Sequence, residues 1–354
     1  MLQERLSCLK NQVHALSYQN RPIIIWGMGE YASFVTQTLG MTENLKIEAF
    51  TDEFSGEGTE RFAGVKTIEA SMCRAFENPL VLICVKNPAI VKRISLFLER
   101  MEVEYITFDE FIVGKNYEEV MNAISLCADK QSEYIYTELL RRRIDNCFDC
   151  RDLALPDIYF ALPHFMEEDF DEVYVDLGAF VGDTLENFLF RRLTSFKTYY
   201  AFEPDKKNYR AMQCRIDRLE KEWNMPQGKI EPICSAVGAK NGSFLFSESG
   251  SVKAALSVKD EGSMISVVTL DEFFKDKKIS TIKADIESSE YPMLLGAKEV
   301  LQRDRPKLAV SIYHSILDFY NIMNWVDGLN LGYKFWIRHH GTKLGDTVMY
   351  AVCE

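Results

Sequence analysis

Residues Val173–Glu203 read VYVDLGAFVGDTLENFLFRRLTSFKTYYAFE, and the order of residue types in this stretch decides the fold. An apolar strand closed by Asp176 runs into a loop carrying Gly178 and Gly182. A helix starts at about Asp183, and a second apolar strand ends in another acid, Glu203. Strand, glycine loop, helix, strand is half of a doubly wound α/β sheet built around a nucleoside ligand. The glycines let the loop backbone come close to that ligand, and the helix points its N-terminus at it. Glu203, roughly 20 residues past the loop, stands where a carboxylate accepts from both hydroxyls of a ribose and where a ribose phosphate is repelled.

The glycines are spaced GxxxG, as DLGAFVG, and not GxGxxG. A dinucleotide loop needs its second glycine close to the first to admit a pyrophosphate, so this spacing suits a ligand without phosphate and with a charged amino-acid tail. S-adenosylmethionine is such a ligand. The alternative is a glycine turn that serves only the chain reversal, and the acid at Glu203 weighs against it.

At 354 residues the chain is long enough for two domains with separate cores. A composition of 47% hydrophobic and 27% charged residues is that of a globular protein, and no apolar run reaches the roughly 18 residues of a membrane span. The N-terminal MLQERLSCLKNQVHAL has no apolar core of a signal peptide, so the expected location is the cytoplasm. A net charge of -12 argues against nucleic-acid partners. The basic run Arg141–Arg143 is expected on a solvated helix face. Nine scattered cysteines fit reduced thiols. Cys147 and Cys150 form a lone CxxC without a second pair, which is weak support for zinc or redox work.

Residues 1–20 hold an amphipathic helix, with Leu2, Leu6, Leu9, Val13 and Leu16 at spacings of three and four. Its stripe is expected to dock on its own chain, with a second subunit as the other option. Residues 21–113 alternate strand and helix, near IIIWG, KIEAFTD, VLICV and VEYITF, as a small Rossmann-like α/β domain. Its first turn, WGMGEYAS, sets Gly27 and Gly29 as GxG with Ser33 in place of a third glycine. Asp52 ends the next strand, so these three form a candidate second nucleotide site. Residues 114–170 read as a helical connection whose Tyr159, Phe160 and His164 either line the cavity ahead or pack in the core. Residues 21–113 resemble the Rossmann-type domain of PglD-type sugar-modifying enzymes, which implies a nucleotide-sugar ligand; a degenerate scaffold or oligomerisation domain is the alternative.

Residues 171–354 continue as VYVDLG, TYYAFEP, IEPICSAVG, TIKADI, KLAVSIYH, YKFWIRHH and DTVMYAV, seven strands. The last two are joined by only GTKLG, too short for a parallel crossover, so they form an antiparallel hairpin. With its motifs in order, VDLGAFVGDT, AFEPDKKNY, SAVG, VVTLDEFF, TIKADIESSEYPMLLGA, LAVSIYH and FWIRHH, this half resembles the FkbM family of S-adenosylmethionine-dependent methyltransferases. The resemblance implies a class I methyltransferase sheet. It also implies cofactor contacts from Asp176, Gly178, Gly182, Asp183, Thr184, Glu203, Pro204, Ser235, Ala236 and Asp285. Ser288 stands where the family signature has glycine.

Asp285 ends the fourth strand, Glu287 and Glu290 follow on the turn, and His314 ends the neighbouring fifth strand. Asp285, Glu287 and His314 are expected to converge beyond the carboxyl ends of the strands. Methyl transfer to a hydroxyl needs a proton acceptor, and a neutral imidazole at His314 suits the task, with Asp285 orienting the acceptor or the cofactor's amino group. Two alternatives stay open: Asp285, Glu287 and His314 as ligands of a divalent metal, or a structural His314. His339 and His340 carry weaker claims, and His14 is expected in solvent. The stretch Asn241–Val268 is either a lid or a surface hairpin. The expected activity is O-methylation of a sugar hydroxyl on a nucleotide-linked or glycan intermediate. A non-catalytic nucleotide-binding scaffold is the alternative, and an oligomer is compatible with both.

Overall fold

Short apolar runs without alternation, such as IIIW and LVLI, cannot leave a face in water and become strands covered on both sides. The computed structural model describes residues 2–29, 31–33, 35–36, 39, 45, 47–53, 61–246, 252–253 and 263–353. They form two compact units: Met1–Met121 with Thr137–Asp149, and Asn122–Tyr136 with Cys150–Glu354.

The first unit carries a six-stranded sheet. Its strands are β1 (Ile23–Trp26), β2 (Ile47–Asp52), β3 (Arg61–Phe62), β4 (Val65–Glu69), β5 (Leu80–Ile83) and β6 (Glu104–Thr107), in the order β3-β4-β2-β1-β5-β6. All pairs are parallel except the β3–β4 edge hairpin, which the apolar pattern did not announce. The helix Leu2–Ala15 buries Leu6, Leu9 and Val13 in this unit. It passes so close to Gly114 that a Cβ there would fall 2.6 Å from Val13. The arginine run is not a solvated face: Arg142 and Arg143 are buried, Arg141 pairs with Glu138 and Asp145, and Arg143 lies 3.8 Å from Asp109. Burial of two guanidiniums is tolerated here because acids on the same and neighbouring helices accompany them.

The second unit holds the sheet announced by Val173–Glu203. Its strands β7 (Val173–Leu177), β8 (Thr198–Phe202), β9 (Ile230–Ile233), β14 (Thr281–Ala284), β15 (Lys307–Ser311), β16 (Tyr333–His339) and β17 (Thr347–Cys353) run in the order β16-β17-β15-β14-β7-β8-β9. The chain reverses between β7 and β14, which is where open α/β sheets bind ligands. Strand β17 lies antiparallel to both β15 and β16, as the short GTKLG connection requires. The stretch IEPICSAVG is not one strand. It breaks after Ile233, and its second half becomes β10 (Ala236–Val237) in a separate four-stranded sheet with β11 (Gly242–Phe246), β12 (Val252–Lys253) and β13 (Ser263–Val268). Of the candidate lid, 247–251 and 254–262 lie outside the described residues. No helix among the described residues is long and apolar enough to cross a membrane.

The core of the second unit contains a charged pair. Lys283 is 2% exposed and Asp176 0%, and Lys283 Nζ stands 2.8 Å from the Asp176 carboxylate on the neighbouring strand. The ammonium also donates to the carbonyls of Gly178 at 2.8 Å and Leu177 at 3.2 Å. Asp176 accepts from the Tyr199 hydroxyl at 2.6 Å. Burial penalises the Lys283 ammonium, but the surrounding acids outweigh it and raise its pKa. Removing one member leaves the other uncompensated. Lys283→Met is therefore expected to cost about 3–5 kcal/mol in denaturant unfolding, and the double change with Asp176→Asn should recover part of it.

Candidate active site

The carboxyl ends of β7, β8, β10 and β14 open onto a cavity of about 630 Å3, a volume in the range of small-molecule sites. From the expected cofactor residues, Gly178, Asp183, Thr184, Glu203, Pro204, Ser235, Ala236 and Asp285 line it. Asp176 and Gly182 do not. Asp176 is the fully buried counter-charge of Lys283, so its oxygens face the sheet. Gly182 caps the helix Asp183–Arg192 at φ 82°, and a side chain there would press on Met212 and Arg215. Gly178, at φ 76°, lines the cavity, yet the space a Cβ would need is taken by the carbonyl of Asp285, 1.9 Å away. Gly178 thus lets β7 and β14 feed their loops past one another.

Glu203 is held by the backbone. One carboxylate oxygen accepts from the N–H of Phe180 and the other from that of Asp205, each at 2.9 Å. The carboxyl is 6% exposed, and burial pushes its pKa up against these donors. Phe180 itself sits at φ 49° with its ring 53% exposed, beside the acid that fixes its backbone.

Around Asp285 the groups are more tightly coupled. Its two oxygens accept from the hydroxyls of Tyr159 at 2.7 Å and Tyr313 at 3.1 Å. Burial pushes the carboxyl up, but Lys283, His314 and the two hydroxyls outweigh it and hold it below the ordinary range. His314 Nε2 lies 3.5 Å from both Asp285 Oδ1 and Glu287 Oε2, and Nδ1 lies 3.0 Å from Glu290 Oε1. The last distance is close, but neither ring nitrogen makes an aligned hydrogen bond. Glu287 lines the cavity and is raised by burial. Asp285, Glu290 and His314 each offer an atom within 4.8 Å of the others, so these three, and not the Asp285, Glu287, His314 set, make the metal-capable cluster among the described residues. Cys147 and Cys150 belong to no such cluster there.

The expectation of a neutral His314 facing the acceptor is corrected by this geometry. The side chain is only 7% exposed and does not line the cavity. Burial alone would lower its pKa, but Glu290, Asp285 and Glu287 outweigh it and raise it to about 9, so the ring carries a proton at neutral pH. His339 is fully buried on Thr347, and His340 bonds to Leu155 and Tyr350, so both are structural; His14 is exposed as expected. Tyr159 reaches the cavity, whereas Phe160 packs on Phe188 and His164 on Trp336. Lys283 and Asp346, both in the cavity wall, escaped the sequence reading. A lysine inside the apolar strand TIKA was a signal, since it demands a buried acid; Asp346, in the hairpin connection, gave none.

In the first unit, Gly27 sits at φ 125° with a Cβ position 2.8 Å from the Cys84 carbonyl, and Gly29 has no described atom within 4 Å of its own. Asp52 closes β2 next to them.

Residues 176–335 match the family model of the Methyltransferase FkbM domain. Among solved structures, the chain is similar to methyltransferase FkbM from Methylobacillus flagellatus KT, with a TM-score of 0.60 and 16% identity over 99% of each chain. Weaker likenesses include a putative methyltransferase from Streptococcus mutans in complex with SAH, at TM-score 0.35, 14% identity, 56% of this chain and 99% of that one. Aeropyrum pernix fibrillarin with natively bound S-adenosyl-L-methionine gives TM-score 0.31 and 14% identity, over 54% of this chain and 69% of that one. No curated protein matches the chain.

The turn after Asp285 holds two consecutive non-glycine residues in the left-handed region, Glu287 at φ 52° and Ser288 at φ 71°. Glycine takes this conformation without the Cβ penalty. Ser288→Gly is therefore expected to raise stability by roughly 0.5–1 kcal/mol after its extra chain entropy is counted, read as a higher denaturation midpoint at unchanged slope.

Proposed function

We propose that the second unit binds S-adenosylmethionine in this cavity and transfers its methyl group to a hydroxyl of a sugar-like acceptor. The convergence of the glycine loop, Glu203 and the Asp285–Glu287 turn on one cavity carries the reading. The residues present fit the cofactor: Glu203 is a pinned carboxylate for a ribose, Asp183 and Thr184 open a helix, and Ser235 and Ala236 supply a wall beside them.

When bound, S-adenosylmethionine supplies a methyl group already activated on a sulfonium. What the chain must add is alignment and removal of a proton. Asp285, locked by two tyrosine hydroxyls, orients the acceptor. Glu287, exposed on the same wall, takes the hydroxyl proton as the acceptor oxygen bonds to the methyl carbon and the carbon–sulfur pair returns to sulfur, leaving a thioether. His314 lies beneath both acids as their counter-charge.

The wall also bears on the acceptor. Asp183, Glu203, Asp205, Asp285, Glu287 and Asp346 face the cavity with Lys283 as the accompanying cation, and Lys283 is already committed to Asp176. A cavity of this sign repels phosphates. This supports an uncharged or amine-bearing glycan hydroxyl over a nucleotide-linked one.

Calorimetric titration should give binding of both S-adenosylmethionine and its demethylated product, weakened at least tenfold by Glu203→Ala with the fold intact; unchanged affinity would remove the ribose role. A ribose hydroxyl donates best to the ionised carboxylate. Because burial raises the Glu203 pKa, affinity should fall as pH drops through the upper carboxylate range, and Glu203→Gln should flatten that dependence. In turnover assays with a glycan acceptor, Glu287→Gln should lower kcat by about 10²-fold or more while cofactor affinity stays constant.

A further inference from the structure

We propose that Asp285, Glu290 and His314 hold one divalent transition-metal ion of the Mn2+ class at the base of the cavity. Each offers one ligand atom, all within 4.8 Å of one another. Donors around a six-coordinate ion at ordinary bond lengths stand about 3–4 Å apart, so side-chain movements on the order of 1 Å complete the set.

The buried polar groups here are incompletely partnered by the protein among the described residues. The Glu290 side chain is fully buried; one oxygen accepts from the Ile286 N–H at 2.8 Å, and the other has no hydrogen-bond partner. His314, 93% buried, makes no aligned hydrogen bond from either nitrogen: Nδ1 lies 3.0 Å from Glu290 Oε1, and Nε2 lies 3.5 Å from the Asp285 and Glu287 oxygens. Buried acids left in this state are costly unless a cation joins them. Three carboxylates surround one imidazole, and Lys283 is held by Asp176 and two carbonyls. This local excess of carboxylates over cations favours a dication, which the imidazole would bind in its neutral form.

One imidazole with carboxylates selects a first-row ion such as Mn2+ over Ca2+, which prefers oxygen alone. Asp285 also faces the cavity, so the remaining coordination positions open toward the acceptor. The ion's role rests on the methyl-transfer reading above: bound to the acceptor hydroxyl, it makes that hydroxyl more acidic, and the proton passes to Glu287.

The test is titration of the chelator-stripped full chain with Mn2+, followed by electron paramagnetic resonance and calorimetry. One site per chain is expected, weakened at least tenfold by His314→Ala and by Asp285→Asn, with circular dichroism confirming that each variant folds. Glu290→Gln serves as a third probe if it folds. A Co2+-loaded protein should show a visible absorption band that His314→Ala changes. Absence of a Mn2+ site, or binding indifferent to His314→Ala and Asp285→Asn in folded protein, overturns the proposal. Cofactor binding is measured in parallel. Mn2+ binding without S-adenosylmethionine binding would keep the ion and discard the methyl-transfer reading, while the reverse would discard the ion alone.

Discussion

The ion pair between Lys283 and Asp176 is the constraint on which the second unit depends. A lysine at 2% exposure has to be met by an acid, and the acid is the residue that closes the first strand of the sheet. Their attraction ties β14 to β7 at the point where strand order reverses, and the same ammonium gathers the carbonyls of Leu177 and Gly178, the start of the glycine loop. Tyr159 lays its ring 5.1 Å from this ammonium and its hydroxyl on Asp285. One buried charge therefore fixes the loop, the strand and the acid that form the cavity floor. Such a pair contributes little net stability over an apolar filling, because desolvation offsets most of the attraction. Its effect is on geometry, since the loop cannot shift without stranding the charge.

Electrostatics of the same origin shape the site. The cavity wall is acidic, and the histidine beneath it sits among three carboxylates. A wall of this kind is suited to a sulfonium, a metal ion or an amine, and unsuited to phosphate. The composition already showed an acidic chain, but composition does not say where the acids gather.

Much of this was legible in the sequence because it depends on local pattern. Seven apolar runs became the seven strands of the large sheet, and a five-residue connection forced the terminal hairpin. Glu203 fell where its spacing from the glycines put it. The readings that needed correction depend on distant neighbours. Asp176 looked like a ligand residue because it closes a strand, and only the fold reveals Lys283 beside it. His314 looked neutral because Glu290, the acid nearest its ring, was not among the groups expected to converge on it. Arg142 and Arg143 looked solvated because the acids that accompany them belong partly to another helix. The split of IEPICSAVG between two sheets follows from pairing with β13, which no periodicity announces.

Tyr159 joins the segment ahead of β7 to the large sheet at two points. The backbone N–H of Tyr159 donates to the hydroxyl of Tyr350 on β17, while its side chain reaches Asp285. Tyr159 adopts φ 67° to make both contacts. A chain that began at Val173 would keep the strands of the large sheet and lose Ile158 and Tyr159 from the cavity wall, so the module begins upstream of its own first strand, in a stretch that resembles a linker.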